Sequence, residues 1–279
     1  MSLTLMYITN NPVTARMAED AGVDRIWVDM EYIGKELRQG GMNTVQNHHT
    51  VEDVRALRPV VTKAQLMVRV NPIHEKTSEH YGTEAEVDAC IAAGADVLML
   101  PMFRTAAEVE RFVRAVNGRA TVQLLVETAE AAESIDEILR VPGIDEIHIG
   151  LNDLHLAKGK KFMFELLCDG TVPALCGKIK AAGIKYGFGG IARVGYGMLP
   201  AEYVIAEHYA LGSSAAILSR AFCDANSVPD PMSVQPLFAD GIVNIRKKEE
   251  EVALYTPEQY TENHRVVEEK VNEIVKLKG

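Results

Sequence analysis

The chain has 279 residues, 47% of them hydrophobic, which is ample for one sizeable core in a single barrel-sized domain. Acidic residues outnumber basic ones, 39 to 29, and the net charge of -10 argues against nucleic acid or an anionic membrane as the main partner. A small anionic substrate stays possible, because local arginines can override the global field. No apolar run is long enough to span a bilayer. The opening MSLTLMYITN lacks the basic flank and long apolar core of a signal peptide. Cys90, Cys168, Cys176 and Cys223 form no CxxC pair, so the expectation is a cytoplasmic protein with free thiols and no cysteine zinc site.

In chain order, short apolar or β-branched runs alternate with stretches of helical pattern. LTLMYI from Leu3 is followed by PVTARMAEDAG, RIWVDM from Arg25 by a polar segment and TVEDVRALR, and LMVRV from Leu66 by EAEVDACIAAG. VLMLP from Val97 precedes AAEVERFVRAV, and VQLLVE from Val122 precedes AEAAESIDEIL. EIHIG from Glu146 precedes VPALCGKIKAAG, KYGFGG from Lys185 precedes PAEYVIAEHYALG, and AAILSR from Ala215 comes last. Gly22, Gly94, Gly183 and Gly212 stand where helices should stop. Eight strands alternating with helices require parallel pairing through helical crossovers. A closed (β/α)8 TIM barrel over residues 1–235 fits the count and the length. The rival, an open doubly wound sheet, carries GxGxxG after its first strand. That turn here is TNNPVTA, and the later GFGGIARVG has the wrong place and spacing.

Two segments break the rhythm. Tyr32 to Thr50 is a long polar insertion after strand two, and long loops at that end of a barrel strand are commonly functional. Residues 236–279 mix both charge signs with spaced Val, Leu and Ile, so they predict additional C-terminal helices. These are either a solvated layer on the barrel or a subunit contact; a homo-oligomer is expected. The sequence shows no internal repeat or low-complexity tract.

In such barrels the catalytic groups stand at the C-terminal ends of strands. Strand two delivers Asp29 and Glu31, strand three Arg69, strand five Glu127, and strand six Asn152 and Asp153. Strand seven ends in Gly187, Gly189 and Gly190, and strand eight in Ser219 and Arg220. Strands five and six are neighbours, about 4.8 Å apart, so Glu127 and Asp153 can converge above the rim. Two close carboxylates repel unless a proton or a cation lies between them. All-oxygen donors favour Mg2+ or Mn2+, one ion per subunit, with positions left for water and substrate oxygens. The alternative is that each acid merely caps the helix after it. Arg69 is flanked by apolar residues and needs an anion: a substrate 2-oxo acid, or an internal ion pair with Asp29 or Glu31. Gly189 either lets the backbone approach a ligand or serves a tight turn. His49, in the insertion, is a candidate general base. His148, mid-strand, reads as a satisfied core histidine. No lysine lies on a core strand as a Schiff-base lysine would; Lys35 and Lys63 fall in loops.

WVDMEY, VRVNP, GADVLMLPM, LLVETAEA and GIDEIHIGLNDLHLAKG, in this order within Leu3 to Arg220, resemble the HpcH/HpaI aldolase/citrate lyase family. The most specific part is Glu127 in VET with Asp153 in GLND. The resemblance implies a (β/α)8 barrel that binds Mg2+ or Mn2+ and makes or breaks bonds to pyruvate-like or acyl-CoA enolates. It also implies oligomers that often exchange a C-terminal helix. By position it makes Glu127 and Asp153 the metal ligands and Arg69 the grip on the 2-oxo acid and its enolate oxygen. The backbone at Asn152 and Asp153 would receive the substrate carboxylate, and Asp29 and Glu31 match the acidic end of strand two. Many aldolases of this family carry a histidine right after the strand-two Glu, where this chain has Tyr32, so the resemblance implies that Tyr32 or another loop group moves the proton.

The reading that follows is a divalent-metal-dependent carbon–carbon lyase of the aldolase type. Its small-molecule partners would be a 2-oxo acid and an aldehyde. One alternative is an acyl-CoA lyase of the malyl- or citramalyl-CoA kind, with Lys35 and Arg38 near the CoA phosphates. The other is a non-catalytic, metal-dependent binder of organic acids, for which Tyr32 is the best support.

Overall fold

The computed structural model describes residues 2–34, 48–78 and 80–278. Among them are all eight expected strands: β1 (Thr4–Ile8), β2 (Arg25–Asp29), β3 (Gln65–Arg69), β4 (Val97–Leu100), β5 (Thr121–Val126), β6 (Glu146–Ile149), β7 (Lys185–Ile191) and β8 (Ala215–Leu218). Each pairs in parallel with the next, and β8 returns to β1, closing the barrel. The (β/α)8 barrel predicted from the alternation is the observed fold.

The two-residue period of a strand divides the apolar residues into two sets. Ile26, Val28, Leu66, Val68, Leu98 and Leu100 face outward into the main core beneath the helices. Met6, Trp27, Met67, Met99 and Leu125 face inward and fill the barrel as a separate apolar plug. Because both faces are covered, β2 and β4 are buried at every position. Below the plug lies a polar tier. Arg25 forks onto Glu146 at 2.5 and 2.8 Å and donates to Gln65 Oε1 at 2.8 Å. Gln123 Nε2 donates to the same Glu146 at 3.2 Å. The third inward tier, above the plug, carries Asp29, Arg69 and Glu127.

The helices follow their local signals. Asn11 caps α1 (Pro12–Ala21), its side chain accepting from the N–H groups of Val13 and Thr14, and Gly22 ends it at φ +98°. Further helices are α2 (Val51–Leu57), α3 (Thr83–Ala92), α4 (Ala106–Val116), α5 (Ala129–Glu133), α6 (Ile135–Ile138), α7 (Leu151–Ala157), α8 (Glu165–Cys168), α9 (Thr171–Ala181) and α10 (Ala201–Leu211). AEAAESIDEIL, expected as one helix, is broken between α5 and α6 at Ser134. The Ser134 hydroxyl bonds the Glu130 carbonyl at 2.6 Å, a local competitor to the helical ladder.

The charged tail forms α11 (Gln235–Val252) and α12 (Pro257–Leu277), both as expected. Their apolar stripes pack onto their own barrel, burying Ile242, Ile245, Val267 and Val271. Glu249 accepts from the Leu3 N–H at 2.6 Å, tying α11 to the start of β1, and Glu207 on α10 pairs with His264 at 3.0 Å. None of the helices described is long and apolar enough to cross a membrane. All four cysteines are free. Lys35 and Arg38 lie outside the described residues.

Candidate active site

The parallel register sets Asp29 beside Arg69, as Cα partners across β2 and β3. Arg69 donates through Nε and Nη2 to the two oxygens of Asp29 at 2.7 and 2.8 Å, and Nη1 stands 3.3 Å from Glu31. Its guanidinium also lies 5.1 Å over the Trp27 ring. Burial alone would lower the Arg69 pKa, but the charges of Asp29 and Glu31 outweigh it and hold the group cationic. Of the two anions considered for Arg69, the internal ion pair is therefore present, and the guanidinium still lines the cavity above the barrel.

Glu127 closes β5 and is buried beneath that cavity. One oxygen accepts the Met102 N–H at 3.1 Å, and Met102 itself holds a left-handed φ of +54° to aim that group. The other oxygen rests against Gly150. A Cβ at Gly150 would meet Glu127 Cβ at 2.8 Å and Oε2 at 3.0 Å, so the glycine that ends β6 makes room for the acid that ends β5. Asp153 follows in the first turn of α7 and lines the same cavity. The backbone N–H groups of Asn152 and Asp153 precede the first intrahelical bond of that turn, from Leu154 to Gly150. Burial pushes the Glu127 carboxyl well above its usual range; Arg69 pulls it back, and Glu31 and Asp153 push it up again.

Among the described residues, Arg69 thus lies against Asp29 and Glu31, and Glu127 feels the charges of Arg69, Glu31 and Asp153. Among the described residues no group of three or more His, Cys, Asp or Glu side chains is arranged to hold an ion. Glu127 and Asp153 offer hard oxygens from two adjacent strand ends, and two protein donors leave most of a coordination shell for water and substrate. That donor chemistry fits Mg2+ or Mn2+ and not a softer ion.

Gly189 lines the cavity at φ +52°, and a Cβ there would strike Leu151 Cδ1 at 2.6 Å. The Gly189 carbonyl accepts from His148 Nε2 at 3.0 Å. Burial lowers the His148 pKa to about 4, so the ring is neutral. Its Nδ1 has no hydrogen-bond partner among the described residues, so this core histidine is only half satisfied. His49 sits behind Asp29, with Nδ1 accepting the Asp29 N–H at 3.0 Å. Tyr32 is 37% exposed and its hydroxyl meets His80 Nδ1 at 2.8 Å. Glu31, Tyr32 and His49 flank the site, whereas Asp29, Arg69, Glu127, Asn152, Asp153 and Gly189 line the cavity itself.

Sequence reasoning missed several contributors. Met102 carries no motif that betrays its backbone. Phe162, Phe164, Met198 and Leu199 also line the cavity; the run FMF in an otherwise charged loop was the available signal.

The profile of the HpcH/HpaI aldolase/citrate lyase family matches residues 3–164, which contain every one of these lining acids and Arg69. No curated protein sequence matches the chain. Solved structures share the fold at low identity. An HpcH/HpaI aldolase from Desulfitobacterium hafniense DCB-2 is 16% identical over 88% of this chain and 93% of that one, with a TM-score of 0.59. The citrate synthase SbnG is 16% identical over 89% of this chain and 95% of its own, at 0.57. Macrophomate synthase is 15% identical over 78% and 77%, at 0.54. With more than half of its length matched by that profile, the chain belongs to the HpcH/HpaI aldolase/citrate lyase family, a family of enzymes of carbon–carbon bond chemistry.

Proposed function

We propose that the protein is a divalent-metal-dependent aldolase that makes or breaks a bond to the methyl carbon of a pyruvate-like 2-oxo acid. The observation that carries this reading is Glu127, buried, pushed toward its neutral form by burial and by Asp153, and seated on a glycine that admits no side chain. Glu127 and Asp153 would hold Mg2+ or Mn2+, which when bound supplies Lewis-acid polarisation of the substrate's oxo oxygen. Arg69, fixed by the two-toothed grip of Asp29, is aimed to stabilise negative charge as it develops on that oxygen. The backbone at Asn152 and Asp153 receives the substrate carboxylate. The proton on the aldehyde oxygen is assigned to the flanking groups, Tyr32 or His49.

The test is exchange of the pyruvate methyl hydrogens with deuterated solvent, followed by proton NMR with and without Mn2+. Metal-dependent exchange supports the reading. Its absence at saturating pyruvate and metal would reduce the protein to an organic-acid binder.

Gly150→Ala probes the same site without touching a donor atom. The added methyl must displace the Glu127 side chain, so Mn2+ affinity should fall roughly 10–100-fold, and the crowding of Glu127 and Leu125 should lower the unfolding temperature by a few degrees. Unaltered affinity, measured by titration calorimetry, would separate Glu127 from the ion.

A further inference from the structure

The 2-oxo acid accounts for only part of the space above the barrel. The cavity holds about 630 Å3, within the range of roughly 300–1,000 Å3 that encloses drug-sized ligands. Its acid–arginine cluster comes from the ends of β2, β3 and β5 and from the first turn of α7. A different stretch of wall is apolar: Phe162 and Phe164 from the segment after α7, and Met198 and Leu199 from the loop after β7.

That wall is held in place by its own contacts. The rings of Phe162 and Phe164 meet edge to face at 5.4 Å. The N–H groups of Lys161 and Phe162 both donate to Glu165 Oε1, at 2.7 and 2.8 Å. Gly197 adopts φ +101°, and a Cβ there would approach the Leu199 carbonyl to 2.8 Å, so the turn that presents Met198 demands glycine. Met198 is left 61% exposed beside the cavity, an apolar side chain in water that a bound apolar group would cover.

Resting on the aldolase reading, we infer that the electrophile is an aldehyde with an apolar alkyl or aryl body that lies against Phe162, Phe164, Met198 and Leu199. The step balances without an oxidant. One methyl hydrogen of the 2-oxo acid leaves as a proton, the resulting carbanion carbon bonds to the aldehyde carbon, and the aldehyde oxygen takes up one proton. The product is the sum of the two reactants. A rival occupant is an aldehyde with a distal carboxylate, because Arg220 at the exposed rim makes no hydrogen bond or ion pair among the described residues.

The test measures kcat/KM of the Mn2+-loaded protein with pyruvate and hexanal, benzaldehyde, propanal, glycolaldehyde or succinic semialdehyde, with pyruvate methyl exchange recorded beside it. Hexanal or benzaldehyde should exceed propanal and glycolaldehyde by about 10-fold or more, the scale of a few methylenes in an apolar pocket. Phe164→Ala should lower the hexanal-to-glycolaldehyde ratio about 10-fold. Met198→Ser, at an exposed position that cannot unfold the core, should lower the same ratio in the same direction. Equal rates across the panel, or ratios unmoved in both variants, overturn the inference. Preference for succinic semialdehyde that Arg220→Ala removes establishes the rival. Methyl exchange without turnover of any aldehyde sinks the inference and leaves the metal-dependent chemistry standing, whereas absence of exchange sinks both.

Discussion

Glu127→Ala and Asp153→Ala are each expected to lower metal-dependent methyl exchange and carbon–carbon cleavage by about a thousandfold, the scale of losing transition-state charge stabilisation in a closed site. The two variants should fail together, because each leaves a single carboxylate that cannot hold the ion alone. Stability should move far less than activity. The Glu127 carboxylate is disfavoured by burial and by Glu31 and Asp153, is favoured by Arg69, and accepts one backbone N–H, that of Met102. Removing it ends the repulsion from Glu31 and Asp153 together with the attraction of Arg69 and one hydrogen bond, so these effects largely offset and the metal-free unfolding temperature should hold. A fall of several degrees would assign Glu127 to structure, and full turnover in either variant with metal stripped would remove the ion from the mechanism. Calorimetric unfolding beside the exchange assay reads both.

Arg69 should behave differently. Arg69→Ala takes from the side chains of Asp29 and Glu31, 1% and 3% exposed, the guanidinium that pairs with both. Breaking a buried pair in this way costs about 3–5 kcal/mol, so the unfolding temperature should drop by roughly 10 °C, and activity should fall with it. Arg69→Lys separates the two effects. A lysine restores the positive charge but cannot fork onto both oxygens of Asp29, so much of the stability should return while kcat stays at least about 100-fold below the parent. If Arg69→Lys recovers both, the guanidinium acts as a structural charge and does not meet the developing oxyanion.

These two residues also show how much the sequence could disclose. Strand identity was legible because each run is short, apolar and bounded by polar or glycine positions, and because every inward residue falls on the same parity. Their places at the strand ends put Asp29, Arg69 and Glu127 on one rim. They do not say which anion Arg69 meets; that depends on the register Asp29↔Arg69, set by the whole β2–β3 pairing. Ser134 could not announce that it would interrupt a helix, because the competing hydrogen bond needs the Glu130 carbonyl at the right angle. The contact of Tyr32 with His80 joins residues 48 apart and lies in two loops, where no periodicity operates. Met102 is the extreme case: its part in holding Glu127 is a backbone angle, and no side-chain pattern encodes one. The pair Glu127 and Asp153, by contrast, was visible from strand order alone, and the glycine between them explains why β6 ends as it does.

The apolar plug of Met6, Trp27, Met67, Met99 and Leu125, closed beneath by the Arg25–Glu146 fork, bars the lower end of the barrel, so among the described residues the cavity opens at the upper rim. Reactants and products must share that opening, and so must queue. On the proposed aldolase reading, a 2-oxo acid held at Glu127, Asp153 and Arg69 lies deepest, enters first and departs last, so an ordered kinetic scheme is expected: in the cleavage direction the 2-oxo acid should inhibit as a competitor of the intact substrate, and the aldehyde should not.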